Sequence, residues 1–173
     1  NFVVFCHGSL AEDRGLKETV EAMSRLRSKY SDIVLFFLGS GTFEKELRAM
    51  TEKQKLGCIM VHESVDYSHV PEFIAMSDVG IVPLPDIPKW RSQCPLKLLE
   101  YLAMGKPVIL TDIPAHRSVV KDEKCGIYVT IAEPQELAKA IIYAYENRES
   151  LSNWGKKGIE IVSRKYKWAG VAG

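Results

Sequence analysis

Six short runs of apolar residues recur along the chain with amphipathic segments between them, and this alternation constrains the fold more than any other feature of the sequence. Residues 2–5, 33–38, 58–61, 79–82, 108–110 and 127–129 all lack the in-and-out alternation of a strand with one wet face. Runs apolar on both faces belong to strands covered on both sides, so they predict a parallel sheet sandwiched by helices. The intervening segments 16–29, 43–54, 70–76, 96–104, 115–120, 134–147 and 151–165 read as the helices. Gly8, Gly39, Gly41 and Gly105 fall at joints between elements, and Pro134 suits a first helical turn. Strand-helix order throughout predicts an α/β fold: a doubly wound, mainly parallel six-stranded sheet with helices on both faces, Rossmann-like, binding ligands beyond the carboxyl ends of its strands.

The 173 residues suit one domain, 1–173, able to bury roughly 70% of its unfolded surface. Lysine plus arginine number 23 against 22 acidic residues, a net charge of +1, so there is no basic footprint of a nucleic-acid binder. No apolar run exceeds six residues, far short of the roughly 20 of a membrane-spanning helix. Cys6, Cys58, Cys94 and Cys125 form no C-x-x-C pair and lie in or beside apolar stretches, which reads as reduced thiols of a cytoplasmic protein and gives no zinc-ligand spacing. The chain starts directly in a strand and ends abruptly, so it is expected to be a piece of a longer protein.

The densest chemical signal is the segment 92–112, a loop, a helix and a strand. Glu100 stands in it among Leu98, Leu99, Tyr101 and Leu102, so its carboxylate needs a partner. That partner is either a cation or cap within the protein, or the vicinal hydroxyls of a ligand, which suit the two carboxylate oxygens. The amides around Pro95 to Leu98 open the helix and favour an anion. A second anion site is the turn Gly8 to Gly15, where Ser9 and Arg14 are phosphate donors. Lys89, Arg91 and Lys97 against Asp86 make the preceding loop basic. Gly39-Ser-Gly41 lacks the third glycine of a dinucleotide fingerprint and reads as a tight turn.

Together these segments resemble the C-terminal, donor-binding domain of group 1 (retaining, GT-B fold) glycosyltransferases, over essentially the whole chain. The family's turn G-R-L-x-x-x-K-G is matched by Gly8, Leu10 and Gly15, with Arg14 for the lysine and Ser9 for the arginine. Its second motif glutamate, followed by A-M-A-x-G-x-P-V-V, is matched by Glu100-Tyr-Leu-Ala-Met-Gly-Lys-Pro-Val-Ile, and its first glutamate falls at Ser92. The resemblance implies that Gly8, Ser9, Arg14, Ser92, Cys94, Pro95, Leu96, Lys97, Leu98 and Glu100 surround a nucleotide-sugar, with Glu100 on the ribose and Val65 against the base. It also implies a UDP-, GDP- or ADP-linked donor and a retained hexosyl transfer to a glycan or lipid-linked acceptor. The acceptor site and a further catalytic histidine would lie on an N-terminal domain, with no catalytic residue in this domain alone, so the isolated chain would bind donor without turnover. No D-x-D occurs, in keeping with a family that neutralises the leaving diphosphate with Arg, Lys and helix amides, without metal or other cofactor.

Residues 148–167 carry six basic residues against Glu149 and Glu160, with an apolar stripe of Leu151, Trp154, Ile161 and Val162. This reads either as a solvated helix packed on the sheet or as one attracted to an anionic membrane surface, which would put the protein at the inner face of a membrane. Two other functions share the architecture: a nucleotide-sugar epimerase domain and a non-catalytic nucleotide-sugar binding module. A signalling receiver domain needs an acidic pair after the first strand, where Gly8 and Ser9 stand.

Overall fold

A computed structural model describes residues 1–93, 95–121 and 124–166. Six parallel strands form one sheet in the order β3-β2-β1-β4-β5-β6: β1 (Phe2–His7), β2 (Ile33–Leu38), β3 (Ile59–His62), β4 (Val79–Val82), β5 (Val108–Thr111) and β6 (Gly126–Val129). The chain winds outward from β1 to β3, crosses back to β4, and winds outward again. A crevice therefore opens between the carboxyl ends of β1 and β4, where the strand order reverses. β1 runs two residues past the apolar run that marks it in the sequence, because Cys6 and His7 pair with Phe37 and Leu38 of β2.

The eight helices are α1 (Leu16–Leu26), α2 (Glu44–Lys53), α3 (Val70–Met76), α4 (Pro88–Arg91), α5 (Leu96–Ala103), α6 (Pro114–Val120), α7 (Pro134–Glu146) and α8 (Leu151–Lys165), among the described residues. Val4, Cys6, Val79, Ile81 and Ile109 point into one core with α1, α2 and α7. Phe5, Val82, Val108 and Leu110 point into a second core with α5 and α6. Most strands thus spend both faces on packing, which is why their sequences show no alternation, whereas the edge strand β3 buries Ile59 and exposes Met60 and His62.

Two features hold α5 against the sheet. β4 pairs with β1 only at Val4 and Phe5, which leaves the end of β1 without a neighbour on that side. The Tyr101 hydroxyl fills the gap, donating to Phe5 O at 3.0 Å and accepting from His7 N at 3.2 Å. Gly80 makes room for that ring, since a Cβ there would lie 2.5 Å from Tyr101 Cδ2. On its outer side α5 is backed by α8, whose Gly158 would place a Cβ 2.9 Å from Leu102 Cδ2. Leu151 and Ile161 are buried, and Trp154 and Val162 half-buried, so the apolar stripe of α8 is used in packing. Attraction of this helix to a membrane then rests on surface charge alone; Lys167 lies outside the described residues. Among the described residues no helix is long and apolar enough to cross a membrane.

Candidate active site

A cleft of about 520 Å³ lies at the crevice, lined from below by the ends of β1 and β2 and from the sides by the segment after β3, the turn before α1, and the α4–α5 region. Lys97 is the residue on which its chemistry turns. Its side chain is 8% exposed, and its ammonium makes no hydrogen bond or ion pair among the described residues. Burial first, and then the neighbouring Arg14 guanidinium, push its pKa below the ordinary lysine value, against a smaller opposing pull from the Glu100 carboxylate. A Cβ added to Gly8 would lie 3.8 Å from Lys97 Nζ, so the ammonium sits directly beside the turn that follows β1. A buried cation without a counter-charge costs several kcal/mol, and an anion in the cleft removes that cost.

Arg14 supplies the second cation. It ends a short 3-10 turn (Glu12–Arg14), and Gly15 follows at φ 69°, where a Cβ would lie 2.0 Å from Pro83 O. That close approach presses the turn against the end of β4. Arg14 lies over the Trp90 ring at 4.8 Å, and its Nε is buried without a partner. Trp90, 4% exposed, donates from Nε1 to Asp13 O at 2.8 Å, and so ties α4 to the turn that carries Arg14.

Glu100 faces the cleft with its side chain 20% exposed. Tyr67 Oη donates to its Oε1. His7 Nε2 approaches Oε2 to 3.3 Å, without hydrogen-bond alignment. Burial, and then the Lys97 charge, lower the His7 pKa to about 4, so this ring is neutral at neutral pH and the contact is no ion pair. No lysine or arginine pairs with Glu100 among the described residues. Among the described residues the carboxylate thus accepts one hydrogen bond, from the neutral Tyr67 hydroxyl, with the neutral His7 ring beside it.

Of the residues singled out in the sequence, Gly8, Ser9, Arg14, Val65, Pro95, Leu96, Lys97 and Glu100 line this one cleft. Two expected residues, Leu98 and Ser92, stand apart. Leu98 is fully buried in the second core, because a helix turns about 100° per residue and the cleft-facing positions are Lys97 and Glu100, three apart. Its N–H is also used, donating to Pro95 O at 3.0 Å, which leaves Leu96 and Lys97 as the helix-opening amides. Ser92 is exposed and does not line the cleft, whereas the next residue, Gln93, does. Cys94 lies outside the described residues. The basic loop is also corrected. Lys89 pairs with Asp13 at 2.6 Å and Arg91 with Asp86 at 2.6 Å, both on the surface around the short helix α4, so of the three cations only Lys97 faces the cleft. Sequence reasoning missed His7, Tyr67 and Trp90. The step from an apolar strand to His7-Gly8 is the one local signal that points to any of them.

The sequence profile of the family described as Glycosyl transferases group 1 matches residues 1–161. The chain belongs to this family. Among relatives of the group 1 glycosyltransferase domain described here, the phosphatidyl-myo-inositol mannosyltransferase of Mycobacterium leprae is 25% identical over 161 residues, 92% of this chain and 41% of that protein. The C-terminal domain of the group 1 family protein LpcC from Francisella tularensis superposes with a TM-score of 0.81 at 21% identity, covering 96% of this chain and 86% of that one. HepE of Anabaena, crystallised with UDP, superposes with a TM-score of 0.85 at 19% identity, covering 99% of this chain and 46% of HepE. The chain spans about two-fifths of the length of the curated relatives it matches. Its fold is that of a GT-B glycosyltransferase C-terminal domain.

Proposed function

We propose that the cleft binds the nucleoside diphosphate sugar donor of a retaining glycosyltransferase, and that this domain forms the donor half of an enzyme whose acceptor half lies on a further, N-terminal domain. The observation that carries this reading is Lys97, a buried cation that makes no hydrogen bond or close ion pair among the described residues, feels the Glu100 carboxylate only at longer range, and shares its cleft with Arg14. A diphosphate bridging the two, with the amides of Leu96 and Lys97 at the opening of α5, neutralises both cations. The ribose diol lies on Glu100, and the base lies beyond it against Val65. In transfer, charge develops on the departing phosphate oxygen, and Lys97, Arg14 and the two amides are already aimed at it before the bond breaks. The relatives support this reading, since HepE was crystallised with UDP and with UDP-glucose.

A non-catalytic nucleotide-sugar module is the second reading, and Ser92 favours it. The family's first motif glutamate is absent there, and its cleft-lining neighbour Gln93 offers an amide where a carboxylate would otherwise stand. A thermal-shift panel of UDP-, GDP- and ADP-sugars tests what the two readings share. A ligand at one hundred times its Kd stabilises by about 2.7 kcal/mol, roughly 5–10 °C for a domain of this size. No shift with any of the three overturns the site. Appearance of glycosylated acceptor and free nucleoside diphosphate on giving the longer protein both donor and acceptor separates enzyme from module: a transferred sugar supports the first, and bound but unaltered donor supports the second.

A further inference from the structure

Glu100 has two unlike neighbours. On one side His7 is fixed: it is 6% exposed, its ring lies 5.1 Å from Tyr101 at 80° and 5.5 Å from Phe5 at 24°, and its backbone N–H is bound to Tyr101 Oη. On the other side Tyr67 is 72% exposed and stands at the start of a short 3-10 turn (Tyr67–His69). That turn is stabilised locally, with Asp66 Oδ1 accepting from Ser68 N at 2.9 Å and from its hydroxyl at 2.5 Å. Among the described residues the one long-range hydrogen bond of the Tyr67 side chain is the one from its hydroxyl to Glu100. A half-buried carboxylate needs hydrogen-bond donors, and in this arrangement a neutral hydroxyl meets that need from a segment with little packing to hold it.

We propose that the Tyr67 hydroxyl occupies, on Glu100, the seat of a ligand hydroxyl, and that a ligand bearing a vicinal diol binds by exchanging with it. The inference rests on the donor-site reading above. The exchange replaces an O–H···O⁻ bond by others of the same kind, so Glu100 is satisfied before and after. The net gain from the diol is therefore smaller than Glu100 would give if it stood free. A ligand without the diol has nothing to exchange and leaves Tyr67 where it is. Tyr67 thus sets how strongly the site discriminates a ribose from a sugar lacking those hydroxyls. It is a positioning residue, since it acts through Glu100.

The test compares UDP with 2′,3′-dideoxy-UDP on the wild-type chain and on Tyr67→Phe, by calorimetric titration, with GDP and ADP pairs run in parallel. Tyr67→Phe removes only an exposed hydroxyl and leaves the fold intact. The expected result is that UDP, or whichever diphosphate binds, gains roughly five- to tenfold in affinity in Tyr67→Phe while its dideoxy analogue is unchanged. In a 3-fluorotyrosine-labelled chain, the 19F resonance that Tyr67→Phe removes moves on adding the ribonucleotide and stays in place with the dideoxy analogue. A ribonucleotide affinity that is unchanged or weaker in Tyr67→Phe, or a 19F resonance that ignores the diol, overturns the exchange and leaves the donor site standing. Failure of every diphosphate to bind the wild-type chain overturns both.

Discussion

At one end of the cleft Lys97 and Arg14 are set by the fold. Lys97 is buried on the first turn of α5, which Tyr101 pins to β1, and Arg14 lies on a Trp90 ring that is itself bonded to the turn it supports. At the other end Glu100 is satisfied by Tyr67, an exposed side chain on a short turn. The difference follows from charge. Lys97 finds no acceptor among the described residues and feels Glu100 only at longer range, so that end gains most when an anion arrives; Glu100 already accepts from the Tyr67 hydroxyl, so the other end holds a donor that a ligand hydroxyl can replace. Preorganised charge at the phosphate end and an exchangeable partner at the diol end suit a ligand whose phosphates dominate affinity and whose sugar decides selectivity.

Lys97→Met breaks that contrast most severely. It keeps the aliphatic stem and removes the charge, so affinity for a nucleoside diphosphate falls by about 3 kcal/mol, more than a hundredfold. The ligand-free protein becomes more stable, because the cost of burying the ammonium disappears. Calorimetry and thermal melting on the same sample check both signs, and a variant that binds normally or melts earlier contradicts the assignment.

His7 tests the fixed side of Glu100 through pH. Its folded pKa of about 4 lies below the 6.5 of the unfolded chain, so the unfolded state takes up the proton first as the pH falls. Stability is therefore full above about pH 6.5 and declines toward pH 4, by about 3 kcal/mol if the whole shift is realised. His116, whose pKa burial also lowers, adds a loss of the same sign. Urea unfolding at pH 7.5 and 4.5 measures the decline, and His7→Gln is expected to flatten it; an equal slope in the variant removes His7 from the account.

Glu100→Ala is expected to weaken a ribonucleoside diphosphate by about 1.5 kcal/mol, the value of the diol's hydrogen bonds to a charged group less the Tyr67 bond they replace, and to leave a 2′,3′-dideoxy analogue nearly unaffected. Equal losses for both ligands would mean that the carboxylate does not meet the diol. The smallest effect belongs to Ser9→Arg, which restores to the turn after β1 the cation that the family pattern carries there. A gain of about 1 kcal/mol in diphosphate affinity is expected, with a steeper salt dependence; no change would show that Lys97 already meets the phosphates that residue 9 would reach.

The sheet was legible in the sequence because nearly every strand is covered on both faces, so its signal is an unbroken apolar run; β3, exposed at Met60, shares the run without the cover. The cleft was legible where its residues are neighbours in the chain, at Gly8 to Arg14 and Pro95 to Glu100. Motif matching treats a stretch of residues alike, however, and a helix does not, which is why Leu98 was expected in the cleft and lies in the core. α4 escaped because Pro88-Lys-Trp-Arg91 is a single turn, too short to show a period, and its basic residues find acidic partners that only the fold brings near. The contact of Tyr67 with Glu100 spans 33 residues and leaves no mark in local pattern.

A crystal structure of the chain with a nucleoside diphosphate bound tests the central claim most directly. The account predicts phosphate oxygens within hydrogen-bond reach of Lys97 Nζ and Arg14, the ribose hydroxyls on Glu100, and Tyr67 Oη displaced from that carboxylate. A nucleotide bound with its phosphates away from Lys97, or elsewhere on the surface, contradicts it.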